Sequence, residues 1–248
     1  MASRKMASIK IKIQQYVKHY EKAPTLIVSL FVIDAVLVLL YLCNWLFGGP
    51  FDKVTAMLDL DGEGNLPTWY SSLQLFLAAW LFGSFAFTQR SDKYKNNSLF
   101  LILLPLTFML LSLDEVAEIH EWFGRRSDAL FLGGTRNVSL VPSTGIWMLL
   151  LGPLLFWLMI GFVITLKSYM FERRIVAVTF CGGLLVFLIS ACGIEFLVNF
   201  VSEGSVEHRI EIMVEEFGEM VGGTLWIWSG FELLRSRGIA IAGSVTND

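Results

Sequence analysis

Six apolar runs govern what this 248-residue chain can fold into: Thr25–Phe47, Tyr70–Phe87, Ser98–Leu113, Gly145–Leu166, Ile175–Val201 and Ile212–Leu234. Each approaches the roughly 20 residues a helix needs to cross a hydrocarbon core. Hydrophobic residues make up 55% of the sequence, more than a soluble domain of this length carries, so the runs belong in a bilayer. The expected fold is all-α, a polytopic transmembrane helix bundle of about six spans.

Basic residues set the expected orientation, because they accumulate in short cytoplasmic connections. In a six-span arrangement Arg4, Lys5, Lys10, Lys12, Lys18 and Lys22 share one side with Arg90, Lys93, Lys95, Lys167, Arg173, Arg174, Arg235 and Arg237. The opposite side carries Asp52, Asp59, Asp61, Glu63, Glu203 and Glu207, with fewer basic residues, among them Arg125, Arg126 and Arg136. Both termini are therefore expected to be cytoplasmic. Residues 1–24 form a cytoplasmic amphipathic arm, 25–235 the transmembrane domain and 236–248 a cytoplasmic tail. Within the arm, Ile9–Tyr20 alternates basic and apolar residues, a pattern suited to anionic headgroups, so membrane lipids are expected partners. The first run is span-length and lacks a small-residue cleavage site, unlike a cleaved signal. No basic patch interleaved with aromatics points to nucleic acid.

Acidic residues interrupt this apolar pattern at two places: Asp114, Glu115, Glu118, His120 and Glu121 after the third run, and His208, Glu211, Glu215, Glu216 and Glu219 around the start of the sixth. A six-span topology brings both groups to the outer side. Glu195, six residues before the outer end of the fifth run, falls roughly 9 Å below that end at 1.5 Å per residue. At helical spacing His208, Glu211, Glu215 and Glu219 form one stripe, with Glu216 to its side. Asp114, Glu118 and Glu121 share a face that Glu115 flanks. His120 points away from it unless the helix ends or bends, as Gly124 would permit.

A buried acid at a helix centre costs about 2.5–3.5 kcal/mol on insertion scales, so several must share an opposing charge or protons. A metal ion supplies that charge. The expected ligands are Asp114, Glu118, Glu121, His120, Glu195, His208, Glu211, Glu215 and Glu219, with Glu216 and Glu115 as catalytic acids that move protons. An acid-rich donor set favours a divalent or trivalent ion, an iron or manganese pair first, with zinc as the alternative. The pattern departs from paired-metal bundles in lacking a Glu-x-x-His; it has Glu118-x-His120 and His208-x-x-Glu211 instead.

Other features carry weaker expectations. Asp59, Asp61, Glu63 and Gly64 match the start of a calcium loop, but Tyr70 occupies its last ligand position, which favours an ordinary Asp/Gly turn. Asp34 is the lone acid inside the first run, read as a hydrogen-bonded structural residue or a relay. Glu232, beside Arg235, is expected at the cytoplasmic interface. Cys43, Cys181 and Cys192 lie in apolar runs and form no C-x-x-C pair; Cys181 and Cys192 could share a helix face, but are expected as buried small residues. Gly182, Gly183, Gly193, Gly222 and Gly223 suggest close helix packing. Phe123–Val141 is long for a helix connection, as lids and partner surfaces often are.

NLPTWYSS in the first outer loop, SLDEVAEIHE at the end of the third run and EEFGEMVGG in the last helix resemble a group of uncharacterised bacterial polytopic membrane proteins. The resemblance runs from about Leu58 to Gly223. It implies a multi-pass protein of the bacterial inner (cytoplasmic) membrane and brings no established activity. From the residues, the leading expectation is a membrane-embedded metal-carboxylate protein, an oxidoreductase or hydrolase acting on a lipid or hydrophobic substrate. A divalent-cation or proton transporter or sensor is the second class. A noncatalytic accessory subunit, with other membrane-protein subunits as partners, is the third.

Overall fold

The computed structural model describes residues 24–62, 64–89, 98–131, 147–202 and 204–239, with the backbone alone at Ser98, Glu121, 127–131 and 147–150. The expected amino-terminal arm and most of the carboxy-terminal tail lie outside these residues. Among the described residues all regular structure is helical.

Helix α1, Thr25–Leu46, starts after Pro24 and ends where Gly48 and Gly49 take positive φ. A short α2, Asp52–Leu58, follows. Helix α3, Leu66–Gln89, opens with Asn65, whose Oδ1 accepts the Thr68 N–H at 3.1 Å. Helix α4, Ser98–Ala117, keeps Pro105 inside it, and α5 follows over Ile119–Phe131. Helix α6, Trp147–Glu172, precedes α7, Arg174–Leu188. The α7 rod continues through a π-helical turn, Ile189–Ile194, one α turn, Glu195–Leu197, and a 3-10 turn, Val198–Phe200. The last helix, α8, is the 31-residue Val206–Ser236. Its Ser205 cap accepts the His208 N–H at 3.1 Å.

Among the described residues, five helical segments are long and apolar enough to cross a membrane: Thr25–Leu46, Leu66–Gln89, Leu99–Ala117, Leu151–Glu172 and Arg174–Phe200. Their outward surfaces carry Val32, Leu39, Trp80, Leu110, Ile164 and Leu185, all exposed, as lipid-facing surfaces require. Helix α8 carries too many acids to qualify by composition, yet it is the helix the others surround. It packs along α7, α3 and α1. From Gly218 to Leu234 most of its side chains are buried.

Small residues set the closest crossing. A Cβ on Gly183 would lie 3.0 Å from the Gly222 carbonyl, and one on Gly222 would lie 2.9 Å from the Phe187 Cβ. The backbones of α7 and α8 touch there, as small residues allow. Cβ atoms on Gly182 and Gly193 would meet only ordinary contacts, so those two do not set the approach. Next to the crossing, Trp226 of α8 meets Phe108 of α4 edge to face at 4.7 Å and Phe187 of α7 at a tilt at 4.9 Å. Phe82 of α3 joins Phe108 at 5.3 Å and Phe180 at 5.8 Å, so one aromatic cluster ties four helices.

At the other end of α8, Glu232 lies beside Arg235 as expected and is buried within the protein. The residue is 1% exposed and its two oxygens meet Arg173 at 3.1 Å and Arg235 at 3.3 Å. Burial demands such pairing, and α7 brings Arg173 to it from the break after α6. Cys181 is exposed and Cys192 half-buried, so the expectation of buried packing is not met at Cys181; Cys43 is exposed as well.

Candidate functional site

Helix α4 ends, the α7 rod ends and α8 begins at one end of the bundle, and the acids gather there. Glu219 of α8 is within electrostatic reach of Glu115 of α4, of Glu216 and Glu215 on its own helix, and of Glu195 on the α7 extension. Glu215 feels Glu195, Glu211 and Glu216, and its carboxyl approaches that of Glu211 one turn earlier. Six carboxylates from three elements thus share one region. The α8 contribution follows from spacing, since residues four apart lie above one another on a helix.

Glu195 reaches this region from an irregular segment. The π-helical turn just before it rephases the rod, and Ser190 in that turn lies against α8 so closely that a Cβ on Gly218 would overlap its Oγ. Such turns change which face of a helix a downstream residue presents. Cys192, in the same turn, lies in the field of Glu195 and Glu215.

Glu211 is 8% exposed, and its Oε1 has no hydrogen-bond partner. Its electrostatic neighbours besides Glu215 are His208 and Asp61, which brings the loop between α2 and α3 near this end of α8. Arg209 closes the same end, its guanidinium 5.7 Å from the Trp45 ring of α1. In that loop Asp59 Oδ1 accepts the Asp61 N–H at 3.4 Å, and Asn65 Nδ2 donates to the Asp59 carbonyl at 2.6 Å and to the Gly62 carbonyl. The first is the bond of an Asx turn, and the Asn65 bonds tie the loop to the start of α3. Glu63 lies outside the described residues.

The acids after the third apolar run divide. Helix α4 breaks at Glu118, which takes a positive φ of 48°, not at Gly124, which is buried inside α5. At the break, Asp114 Oδ1 accepts the His120 N–H at 2.7 Å and Oδ2 lies 2.9 Å from His120 Nδ1. Asp114 therefore caps α5 and orients the imidazole. Glu118 turns toward Arg125, 3.9 Å away. Glu115 alone of the acids with described side chains on α4 and α5 reaches the α8 stripe; the side chain of Glu121 is outside those described. His208 Nδ1 accepts the Gly204 N–H at 3.3 Å, which puts the ring proton on Nε2. As placed, that ring offers no lone pair to the acids.

Among the described residues, no three His, Cys, Asp or Glu side chains come close enough to one point to hold a metal ion in this arrangement. What the arrangement provides is a set of carboxylates that must draw in a cation or share protons to coexist.

Replacing Asp114 by Ala is expected to fray α5, at a cost of about 0.5–2 kcal/mol for a lost cap. Amide exchange across Ile119–Phe131 should accelerate in Asp114→Ala and stay near wild type in His120→Ala, whose backbone N–H keeps its partner. Equal acceleration in both would show that the side-chain pair, not the cap, holds the helix.

No curated protein and no solved structure matches the chain. A family profile covers residues 29–233, nearly the whole helical bundle including every acid of the cluster. The chain belongs to that family, which is described as Domain of unknown function (DUF8692).

Proposed function

We propose that the chain is a six-span, membrane-embedded metal-carboxylate protein, both termini cytoplasmic, whose outward-facing acids take up a multivalent cation. In a bacterium this places it in the inner membrane. The observation that carries the reading is the convergence of Glu115, Glu195, Glu211, Glu215, Glu216 and Glu219 from three elements, with the buried Glu211 Oε1 still without a partner. Glu195, Glu211, Glu215 and Glu219 are the proposed ligands. Glu115 and Glu216 flank them as proton-transferring acids. Ion uptake draws these side chains together from their present separations.

The donor set is almost wholly carboxylate, because His120 is held by Asp114 and His208 Nδ1 by Gly204. Hard oxygen donors favour manganese or iron over zinc, which supports oxidoreductase chemistry ahead of hydrolysis. A paired centre of this kind supplies redox equivalents when bound. A site of this kind opening within the outer leaflet suits a lipid or other hydrophobic substrate.

Elemental analysis of the purified full-length chain, depleted and then loaded with Mn²⁺ or Fe²⁺, tests this directly. Wild type should retain the ion stoichiometrically. Glu215→Gln and Glu219→Gln should weaken it by at least about 10–100-fold, the range known for lesser changes around metal sites. Unchanged retention in both variants, or no retention in wild type, overturns the reading. Cation flux into vesicles lost in the same variants would assign the acids to transport instead.

A further inference from the structure

Asp34 lies in the middle of α1 and is fully buried, at 0% exposure. Three neutral donors from two other helices surround its carboxylate. Tyr70 donates its hydroxyl to Oδ1 at 2.6 Å and Gln74 its Nε2 to the same oxygen at 2.9 Å, both from α3. Thr224 of α8 donates to Oδ2 at 2.9 Å. Gln74 Nε2 also reaches the Tyr70 oxygen at 3.0 Å and the Thr224 oxygen at 2.8 Å, which closes the group into one network across three helices.

The network is unbalanced. Gln74 Nε2 has three acceptors within reach for its two hydrogens, whereas Gln74 Oε1, on a residue only 3% exposed, has no partner at all. From α3 the titratable group facing Asp34 is Tyr70. From α8 it is met by Thr224, and the nearest acid along that helix is Glu219, five residues earlier. No Lys or Arg is among the hydrogen-bond partners of Asp34 in the described structure. An intramembrane carboxylate held only by neutral dipoles is expensive, and such residues commonly mark proton or ion pathways.

Either a proton or a metal cation would relieve that cost, and the distances choose between them. Contacts of 2.6–2.9 Å between Asp34 and its donors leave no room for an ion to enter. A proton needs none. A protonated carboxyl does need an acceptor, and Gln74 Oε1 is the buried oxygen without a donor; half a turn of the amide presents it to Asp34.

We propose that Asp34, Tyr70, Gln74 and Thr224 form an internal proton-binding site in which Asp34 takes up a proton reversibly and Gln74 changes from donor to acceptor. This site stands apart from the outer acids and does not depend on a metal there. It would give the bundle a proton store near the membrane midplane, where carriers hold their coupling ions.

Infrared difference spectra of the full-length protein in lipid bilayers, recorded between acidic and alkaline buffers, test it. A protonated-carboxyl band should appear on acidification, shift in D₂O, vanish in Asp34→Asn and persist in Glu215→Gln/Glu219→Gln. Its frequency should move in Gln74→Leu and Tyr70→Phe, which alter the hydrogen bonds on the carboxyl. Aspartate-specific ¹³C labelling of the native chain separates this band from those of the glutamates if Asp34→Asn does not assemble. An aspartate band present at every pH, or at none, would make Asp34 a static structural acid and overturn the proposal; so would a band removed by Na⁺ at fixed pH.

Discussion

Replacing Arg173 and Arg235 together by Met is expected to destabilise the bundle by about 3–5 kcal/mol, the cost of stranding a buried charge. Glu232 is the charge in question, with 2% of its side chain exposed and one oxygen on each guanidinium. Either single replacement leaves one arginine in place, so each should cost less than half of the double. Adding Glu232→Met to the double variant should recover most of the loss, because an apolar residue has no charge to leave unpaired. Reversible unfolding in mixed micelles measures all four proteins. Equal stability of the double and triple variants would mean that Glu232 gains its compensation elsewhere. The pairing also spans the break between α6 and α7, so its loss should loosen the start of α7 first.

The second large effect is expected at Gly218, where α8 meets the π-helical turn. A methyl group there would coincide with Ser190 Oγ, and both residues are buried, at 4% exposure for Ser190. Gly218→Ala should therefore cost about 1–3 kcal/mol through overpacking, beyond any gain in helix propensity. Exchanging the two small residues, Ser190→Gly with Gly218→Ala, should return most of that stability. If the single variant is as stable as wild type, the turn yields easily and does not hold Glu195 in place. If the acids hold an ion as proposed, the same series read by metal retention separates packing from function: Gly218→Ala should weaken the ion even in the folded fraction.

The helices were legible because apolar runs of span length admit few other structures in a bilayer. Their limits were less so. The second run begins at Tyr70, but α3 starts at Leu66, since Asn65 caps it and the polar Thr68, Ser71, Ser72 and Gln74 are buried against other helices. Ser72 and Ser112, for example, donate to each other's backbone carbonyls at 2.7 and 2.9 Å across α3 and α4. Hydropathy counts such residues as interruptions when they are interhelical bonds.

At the acids, helical phase aligns Glu211, Glu215 and Glu219, because α8 is regular through all three. It separates His120 from Asp114 only for a regular helix. Glu118 is neither Gly nor Pro, and nothing in its identity announces a left-handed backbone. The capture of the His120 N–H by Asp114 stabilises that break, a local bond that hydrophobic periodicity does not register. The Asp34 network is a third kind of case. The lone acid was visible, but its partners Gln74 and Thr224 lie 40 and 190 residues away and look like ordinary polar residues in apolar runs.

The π-helical turn at Ile189–Ile194 is, geometrically, an α-helix holding one residue too many. Winding those same residues as regular α-helix, with none removed, would turn everything after them by about 100° and move it about 1.5 Å along the axis. Glu195 would then face a different neighbour although no acid had been changed. The bulge thus keeps Glu195 with the cluster by absorbing one residue, and excising that residue would leave Glu195 facing as it does now.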